Sequence, residues 1–121
     1  MKKILVIEDT PNIRENIAEF LELKSYNVLT ASDGAAAFEL LKAHNLDLVI
    51  CDVKMPKMNG FELKRLLNGE ANLEAIPFIF LTAAAQKGDI EEGQALGAAA
   101  YLTKPFEMEE LMQWVDQLLE G

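Results

Sequence analysis

The sequence predicts a small doubly wound α/β domain, in which helices cover both faces of one parallel sheet. Short apolar runs recur along the chain on consecutive rather than alternating positions, which is typical of strands buried on both faces. Between these runs the apolar residues repeat at helical spacing. Strands that alternate with helices through short loops pair in parallel, with right-handed crossovers.

Five segments are candidate strands. Three are apolar throughout and rich in β-branched residues, and two are less uniform, as expected of strands nearer the edge of a sheet. The uniform runs are residues 4–7, 48–51 and 78–81, and the weaker ones are residues 26–31 and 98–102.

Five helices are expected, and each has one apolar stripe at helical spacing. Their ends are marked by polar capping residues, by a proline at a first helical position and by glycines. The signals are Thr10 and Pro11 before the first helix, Ser32 or Asp33 before the second, Asn59 and Gly60 before the third, Gly97 after a fourth at about residues 88–96, and Gly121 after a last helix that begins near Met108.

The composition limits the function further. The 121 residues include 20 acidic and 11 basic ones, which gives a net charge of −9. Residues 1–121 are enough for one domain, so we expect no output domain within this chain. An acidic surface opposes direct contact with nucleic acid, whose phosphates require clustered lysine and arginine, and it favours a cation or a basic protein surface.

The sequence indicates a cytoplasmic location. Cys51 is the only cysteine, which excludes an intramolecular disulfide and a cysteine zinc cluster and fits a reducing compartment. The apolar run after Lys2 and Lys3 ends at Glu8, so it is too short for a signal peptide or a membrane-spanning helix. We therefore expect no contact with a membrane.

Chemically reactive side chains follow four of the apolar runs. Ligands of an open parallel sheet bind beyond the carboxyl ends of its strands, so these positions are candidates for a site. They are Glu8 and Asp9 after the first run, Asp52 after the third, Thr82 after the fourth and Lys104 after the fifth. Each alone has a structural explanation as a cap or turn residue, and for Glu8 and Asp9 capping is the better one. Their coincidence at one end of successive strands favours a site.

Three carboxylates at one edge of the sheet repel one another and need an opposite charge to remain ionised. Their oxygen atoms suit Mg²⁺ or Mn²⁺ better than zinc. With a metal held, one carboxylate can act as a nucleophile toward a phosphoryl group. We assign that role to Asp52, at the end of the central strand, and expect Lys104 and the Thr82 hydroxyl to contact the phosphoryl oxygens. The only histidine, His44, follows the second helix, away from this edge.

Four groups of residues match the motifs of one protein family. They are residues 4–9, residues 47–56 with Asn59 and Gly60, residues 77–83, and residues 96–98 with 101–106. Together these motifs are highly specific, and the sequence resembles the receiver domain of two-component response regulators over essentially its whole length. The resemblance implies a flavodoxin-like (βα)5 sandwich with sheet order 2-1-3-4-5. It also implies that Asp52 is phosphorylated by the phosphohistidine of a sensor histidine kinase.

The resemblance implies roles for the remaining site residues. Mg²⁺ would be bound by Glu8, Asp9, Asp52 and the backbone carbonyl of Lys54, and Mn²⁺ can substitute for it. Such a domain catalyses only its own phosphorylation and dephosphorylation, so we do not expect an enzyme with an external substrate.

The resemblance also implies a conformational switch. Lys104 would pair with the phosphoryl group, next to a cis bond to Pro105. Thr82 and Tyr101 would form the switch, because the threonine hydroxyl moves to a phosphoryl oxygen and the aromatic ring fills the vacated space. This movement changes the face made by the fourth predicted helix, the fifth strand and the last helix, which controls a partner.

The implied partners are a sensor histidine kinase or phosphotransfer protein, and a downstream effector protein or a missing output domain. Residues 98–100 are alanines where many relatives have an acidic pair before Tyr101, and the last helix lacks the arginines of many DNA-binding regulators. We therefore expect a monomer or a weak phosphorylation-linked dimer. Lys54 and Ala84, two residues after Asp52 and Thr82, stand at positions that tune the lifetime of the aspartyl phosphate in this family.

Three other functions compete with the phosphoacceptor switch. A degenerate receiver would act as a phosphorylation-independent interaction module, although the complete acidic, threonine and lysine set argues against it. A flavodoxin-like cofactor binder would need a phosphate cradle after the first strand, where Glu8 and Asp9 place negative charge instead. An aspartyl phosphatase would need an acid two residues after its nucleophile, where this chain has Lys54.

Overall fold

The computed structural model of the chain contains one five-stranded parallel sheet of order β2-β1-β3-β4-β5, as predicted. The structure describes residues 1–83 and 87–120, so Ala84 and Gly121 lie outside the described residues. The strands are β1 (Lys3–Ile7), β2 (Asn27–Ala31), β3 (Leu48–Asp52), β4 (Phe78–Thr82) and β5 (Ala100–Thr103). This strand order is the flavodoxin-like one, and it places β3 at the centre of the sheet.

All five predicted helices are present, together with a short one that the sequence pattern did not indicate. The helices are α1 (Pro11–Leu23), α2 (Gly34–Ala43), α3 (Gly60–Asn68), α4 (Ala71–Glu74), α5 (Lys87–Ala95) and α6 (Met108–Glu120). The helix α4 has only one turn, which is too short to produce a recognisable apolar repeat. None of the helices within the described ranges has the length and hydropathy needed to cross a membrane.

The helix starts agree with the predicted capping signals. Thr10 is the N-cap of α1, although its side chain makes no capping hydrogen bond. Asp33, rather than Ser32, caps α2 through its carboxylate. At α3 the Asn59 side chain accepts from the Glu62 N–H at 2.8 Å and the Glu62 carboxylate accepts from the Asn59 N–H at 2.9 Å, which forms a reciprocal capping box.

Two apolar layers lie on opposite faces of the sheet. Alternate side chains of β1, β3 and β4 point into each layer, because successive residues of a strand face opposite ways. One layer packs against α2 and α3, and the other packs against α1 and α6. Burial on both faces explains why these strands are apolar at consecutive positions. Cys51 is buried in one layer, on the side of the sheet opposite to the Asp52 side chain.

Lys64 is buried where three helices end, although no sequence pattern indicates its burial. Its side chain is only 2% exposed, and its ammonium donates to Asn68 Oδ1 at 2.8 Å and to the Glu74 carbonyl at 3.3 Å. The Asn68 amide in turn donates to the Leu96 carbonyl just after α5. Burial lowers the pKa of Lys64. The carbonyl ends of α3, α4 and α5 carry partial negative charge, which stabilises the ammonium.

The start of α3 lies directly against the end of β3. A Cβ atom on Gly60 would meet the Asp52 carbonyl oxygen at 2.7 Å and the Val53 Cα at 3.1 Å. The Gly60 N–H also donates to the Val53 carbonyl at 2.8 Å. Only glycine therefore fits between α3 and the strand end that presents Asp52.

We expect Gly60→Ala to lower the free energy of unfolding by roughly 1–3 kcal/mol, because the new methyl group must displace backbone atoms. Urea unfolding measures this change. The matched control is Gly69→Ala, whose Cβ would approach no atom closer than 3.5 Å. Equal stability of the two variants would contradict the steric argument.

Candidate functional site

The five predicted site residues come together at the carboxyl edge of the sheet. Glu8 and Asp9 follow β1, Asp52 ends β3, Thr82 ends β4 and Lys104 follows β5. These four strands are neighbours and run in parallel, so their carboxyl ends lie side by side.

The three carboxylates form one cluster. Glu8, Asp9 and Asp52 each offer an oxygen atom, and these oxygens all lie within 4.8 Å of one another. Glu8 is fully buried and Asp52 is 5% exposed, whereas Asp9 is exposed. The N-cap position of α1 is held by Thr10, so neither Glu8 nor Asp9 occupies it. The cluster reaches solvent through Asp9.

Lys104 forms ion pairs with two of these carboxylates. Its ammonium lies 2.7 Å from Glu8 Oε1 and 3.4 Å from Asp52 Oδ2. The other Glu8 oxygen accepts a hydrogen bond from the Thr10 N–H at 3.2 Å. A buried carboxylate must be paired and hydrogen-bonded, and Glu8 meets both requirements. The pair with Glu8 was not predicted, because Lys104 was expected to contact the phosphoryl group, although a lysine among acidic residues at one edge is a signal for such a pair.

Burial is the main influence on the pKa values of the two aspartates in the cluster, and neighbouring charges add to it or oppose it. Burial raises the pKa of Asp52, and the Lys104 ammonium opposes this rise, while the charge of Asp9 adds to it. Partial loss of hydration at the sheet edge and the adjacent Glu8 also raise the pKa of Asp9, although its side chain reaches solvent. Burial by itself would lower the pKa of Lys104, but its bond to Glu8 and the charge of Asp52 outweigh burial and raise it.

The cluster fits a divalent cation. One ammonium faces three carboxylates, so the site has an excess of negative charge that a cation would balance. All the donor atoms are oxygens, and the exposed side at Asp9 leaves room for water ligands, which is the environment that Mg²⁺ prefers. Lys54, whose carbonyl is a predicted ligand, lies two residues after Asp52 and is exposed.

The two predicted switch residues, Thr82 and Tyr101, are neighbours. Thr82 is 2% exposed, and the Tyr101 ring packs against Phe80 with ring centroids 6.2 Å apart. The Tyr101 hydroxyl is buried and has no hydrogen-bond partner among the residues that the structure describes. Burial raises the pKa of Tyr101, and the neighbouring Thr82 hydroxyl opposes the rise.

The Tyr101 ring rests against a glycine of α5. A Cβ atom on Gly93 would meet Tyr101 Cδ2 at 3.0 Å and Phe80 Cδ2 at 3.4 Å. The missing side chain therefore makes room for the ring. The sequence analysis did not identify Gly93, although a glycine inside a helical segment often has a packing role of this kind.

The loop after β5 completes the surroundings of the site. The peptide bond between Lys104 and Pro105 is cis. A recess of about 510 Å³ lies beside Lys104, between α1 and the start of α6. Its walls are mostly apolar and include Ile13, Ala83 and Phe106.

Residues 4–116 match the family described as the response regulator receiver domain. The chain belongs to this family. A receiver domain is a signalling module of two-component systems rather than a conventional enzyme, and this one has an acidic metal site formed by Glu8, Asp9 and Asp52.

Two curated relatives illustrate the range of proteins that contain such a receiver domain. The chain is 43% identical over 117 residues to the transcriptional regulatory protein RprY of Bacteroides fragilis, covering 97% of this chain and 49% of RprY. It is 35% identical over 121 residues to Protein PilH of Pseudomonas aeruginosa, covering both chains completely. The receiver domain thus spans about half the length of RprY and the full length of PilH.

A solved structure of a related receiver domain holds a metal. The receiver domain of the sensor histidine kinase PA1611 of Pseudomonas aeruginosa has a magnesium ion coordinated in its active-site cleft. It superposes on this chain with a TM-score of 0.90 at 29% identity, covering 99% of this chain and 98% of that one. The acidic cluster here is consistent with a site of the same kind.

We expect Asp52→Asn to raise the free energy of unfolding at neutral pH, by on the order of 1 kcal/mol. The pKa of Asp52 is raised in the folded state, so its ionisation destabilises the fold above that pKa. The advantage of the variant should shrink as the pH falls through the raised value toward 3.8, where the wild-type carboxyl becomes protonated.

Urea unfolding across this pH range measures the effect. The matched control is Asp47→Asn, which weakens a hydrogen bond from the Lys3 N–H at 2.8 Å and should not stabilise the protein. An Asp52→Asn variant that is less stable than the wild type at neutral pH would contradict the argument that ionised Asp52 destabilises the fold.

Proposed function

We propose that this receiver domain is a phosphoacceptor switch in which Asp52 receives a phosphoryl group from the phosphohistidine of a sensor histidine kinase or a phosphotransfer protein. The observation that supports it most strongly is the carboxylate cluster of Glu8, Asp9 and Asp52 with the Lys104 ammonium 3.4 Å from Asp52. A nucleophile, a cation site and a fixed positive charge are then all within reach of one transferring group.

In the transfer step an Asp52 oxygen bonds to phosphorus while the bond from phosphorus to the histidine nitrogen breaks. Glu8, Asp9, Asp52 and the Lys54 carbonyl would hold Mg²⁺, which when bound neutralises charge on the phosphoryl oxygens. Asp52 is held in place because it ends a strand that is buried on both faces.

We propose that Lys104 has two successive partners. Before phosphorylation it pairs with Glu8 and Asp52. A phosphoryl group on Asp52 adds negative charge and strong acceptor oxygens beside the ammonium. Lys104 then shifts toward these oxygens and weakens its bond to Glu8.

The Thr82 hydroxyl is the proposed sensor of the phosphoryl group. It moves to a phosphoryl oxygen, and the Tyr101 ring fills the vacated space. Because the ring rests on Gly93, a movement of Tyr101 changes the packing of α5. The face formed by α5, β5 and α6 therefore reports phosphorylation to a downstream effector or output domain.

The kinase or phosphotransfer protein is proposed to dock over the apolar recess beside Lys104. The recess adjoins the carboxyl edge of the sheet, so a partner seated there would bring its phosphohistidine close to Asp52. A cytoplasmic location is part of the proposal, because cytosolic kinase domains are the donors in this scheme.

We expect incubation with Mg²⁺ and acetyl phosphate to add one phosphoryl group to the wild-type chain and none to Asp52→Asn. Intact-mass spectrometry measures the adduct, and EDTA should abolish it because the carboxylate cluster needs its cation. The matched control is Asp47→Asn, which makes the same chemical change at the opposite end of β3 and should be phosphorylated normally. An adduct on Asp52→Asn, or none on the wild type, would point to a degenerate receiver instead.

We expect Lys104→Ala to retain the phosphoryl adduct but to lose the conformational response, because the ammonium that draws the phosphoryl group into the switch is absent. Trp114 is the only tryptophan in the sequence, and it lines a separate groove together with Tyr101, so its fluorescence should report a movement of the Tyr101 ring. The control is Lys42→Ala, which removes an ammonium from an exposed position of α2. A full fluorescence response from Lys104→Ala would contradict the role given to Lys104.

A further inference from the structure

The negative charge of the chain is concentrated in its last third. Residues 87–120 include eight acidic residues and two basic ones, Lys87 and Lys104, so they hold six of the nine excess negative charges. Lys104 already forms ion pairs with Glu8 and Asp52. The acidic residues are Asp89, Glu91, Glu92, Glu107, Glu109, Glu110, Asp116 and Glu120. All of them lie on or next to α5 and α6, and we call the surface formed by α5, β5 and α6 the acidic face.

An apolar groove of about 310 Å³ lies in the middle of the acidic face. Ile90 and Gln94 of α5 form one wall, Trp114 of α6 forms the other, and residues 98–101 form the floor. The three alanines at 98–100 leave this floor open. Large aromatic side chains at the edge of such a groove are typical anchors of protein interfaces.

Carboxylates surround this groove. Glu110 is exposed and lies one helical turn before Trp114, and Glu91 is exposed and lies three residues before Gln94, so each shares a helix face with a wall residue. Asp89 lies one helical turn before Gly93, which contacts the Tyr101 ring, and the charge of Asp89 raises the pKa of Tyr101. Among the eight acidic residues, within the described parts of the chain, only Glu92 has a basic partner, which is Arg65.

We propose that the acidic face binds a basic segment of a different polypeptide, with one large apolar side chain seated between Ile90 and Trp114. This inference rests on the proposed function, in which the same face reports phosphorylation. Opposite charge around an apolar anchor favours such a segment. A second copy of the chain is disfavoured, because a two-fold contact would place Glu91 and Glu110 against the same carboxylates of the partner.

The groove and the proposed switch share one residue. Tyr101 forms part of the groove floor and also neighbours Thr82. A segment that binds one position of the Tyr101 ring better than another must shift the switch toward that position. By linkage, phosphorylation changes the affinity for the segment by the same factor by which the bound segment changes the equilibrium of phosphorylation.

The test uses a synthetic peptide with leucines and lysines at helical spacing, titrated into the full unphosphorylated chain while Trp114 emission is recorded. We expect a blue shift that saturates and that weakens with added salt, because rim charges are screened. A matched peptide with glutamates in place of the lysines should give no shift. Glu91→Lys and Glu110→Lys should each weaken binding roughly threefold or more.

The control variant is Glu39→Lys on α2, which makes the same charge change at an exposed position on a different helix and should bind the peptide as the wild type does. Equal losses from Glu39→Lys and Glu110→Lys, or equal binding of the glutamate peptide, would overturn the proposal. So would a dimer in sedimentation that Trp114→Ala abolishes, because the occupant would then be a second copy. The titration uses unphosphorylated protein, so binding of the peptide stands or fails separately from phosphorylation of Asp52.

Discussion

Two carboxylates, those of Glu8 and Asp52, are buried at the carboxyl edge of the sheet, and among the described residues only Lys104 forms an ion pair with them. This ammonium offsets part of the cost of holding ionised groups out of water at the strand ends. The parallel topology makes the pairing possible, since β1, β3 and β5 all end at this edge. One positive charge is still too few for three carboxylates. The remaining excess of negative charge suits a bound cation. It also means that any charge added at this edge must alter the ion pairs of Lys104.

The same edge is connected to the protein surface through packed side chains. Thr82 at the end of β4 neighbours Tyr101 within β5, and the Tyr101 ring lies on Gly93 of α5. Helix α5 is also fixed to α3 through Arg65 with Glu92, and its end is fixed through the bond from Asn68 to the Leu96 carbonyl. A movement of the ring would therefore act on a helix that these two contacts connect to α3. Such an arrangement favours discrete positions of α5 over gradual displacement.

The distribution of charge separates two functions of the acidic composition. Near the carboxyl edge, carboxylates are buried and form a cluster that suits a metal. On the acidic face they are mostly exposed and surround an apolar groove. The net charge of −9 alone does not distinguish these two environments, because it does not depend on burial or neighbours. The first environment suits a bound cation, and the second suits the basic partner segment that we propose.

Local sequence patterns were enough to predict the strands, the main helices, their order and the end of the sheet at which the site lies. These patterns are consecutive apolar residues, helical spacing, and polar residues directly after most of the strands. Four contacts became visible only in the folded chain: Lys104 pairs with Glu8, Gly93 contacts the Tyr101 ring, Gly60 contacts the backbone of Asp52, and Lys64 is buried. Each of these contacts joins residues that are distant in sequence or depends on a separation of a few ångströms, and no local pattern encodes such distances.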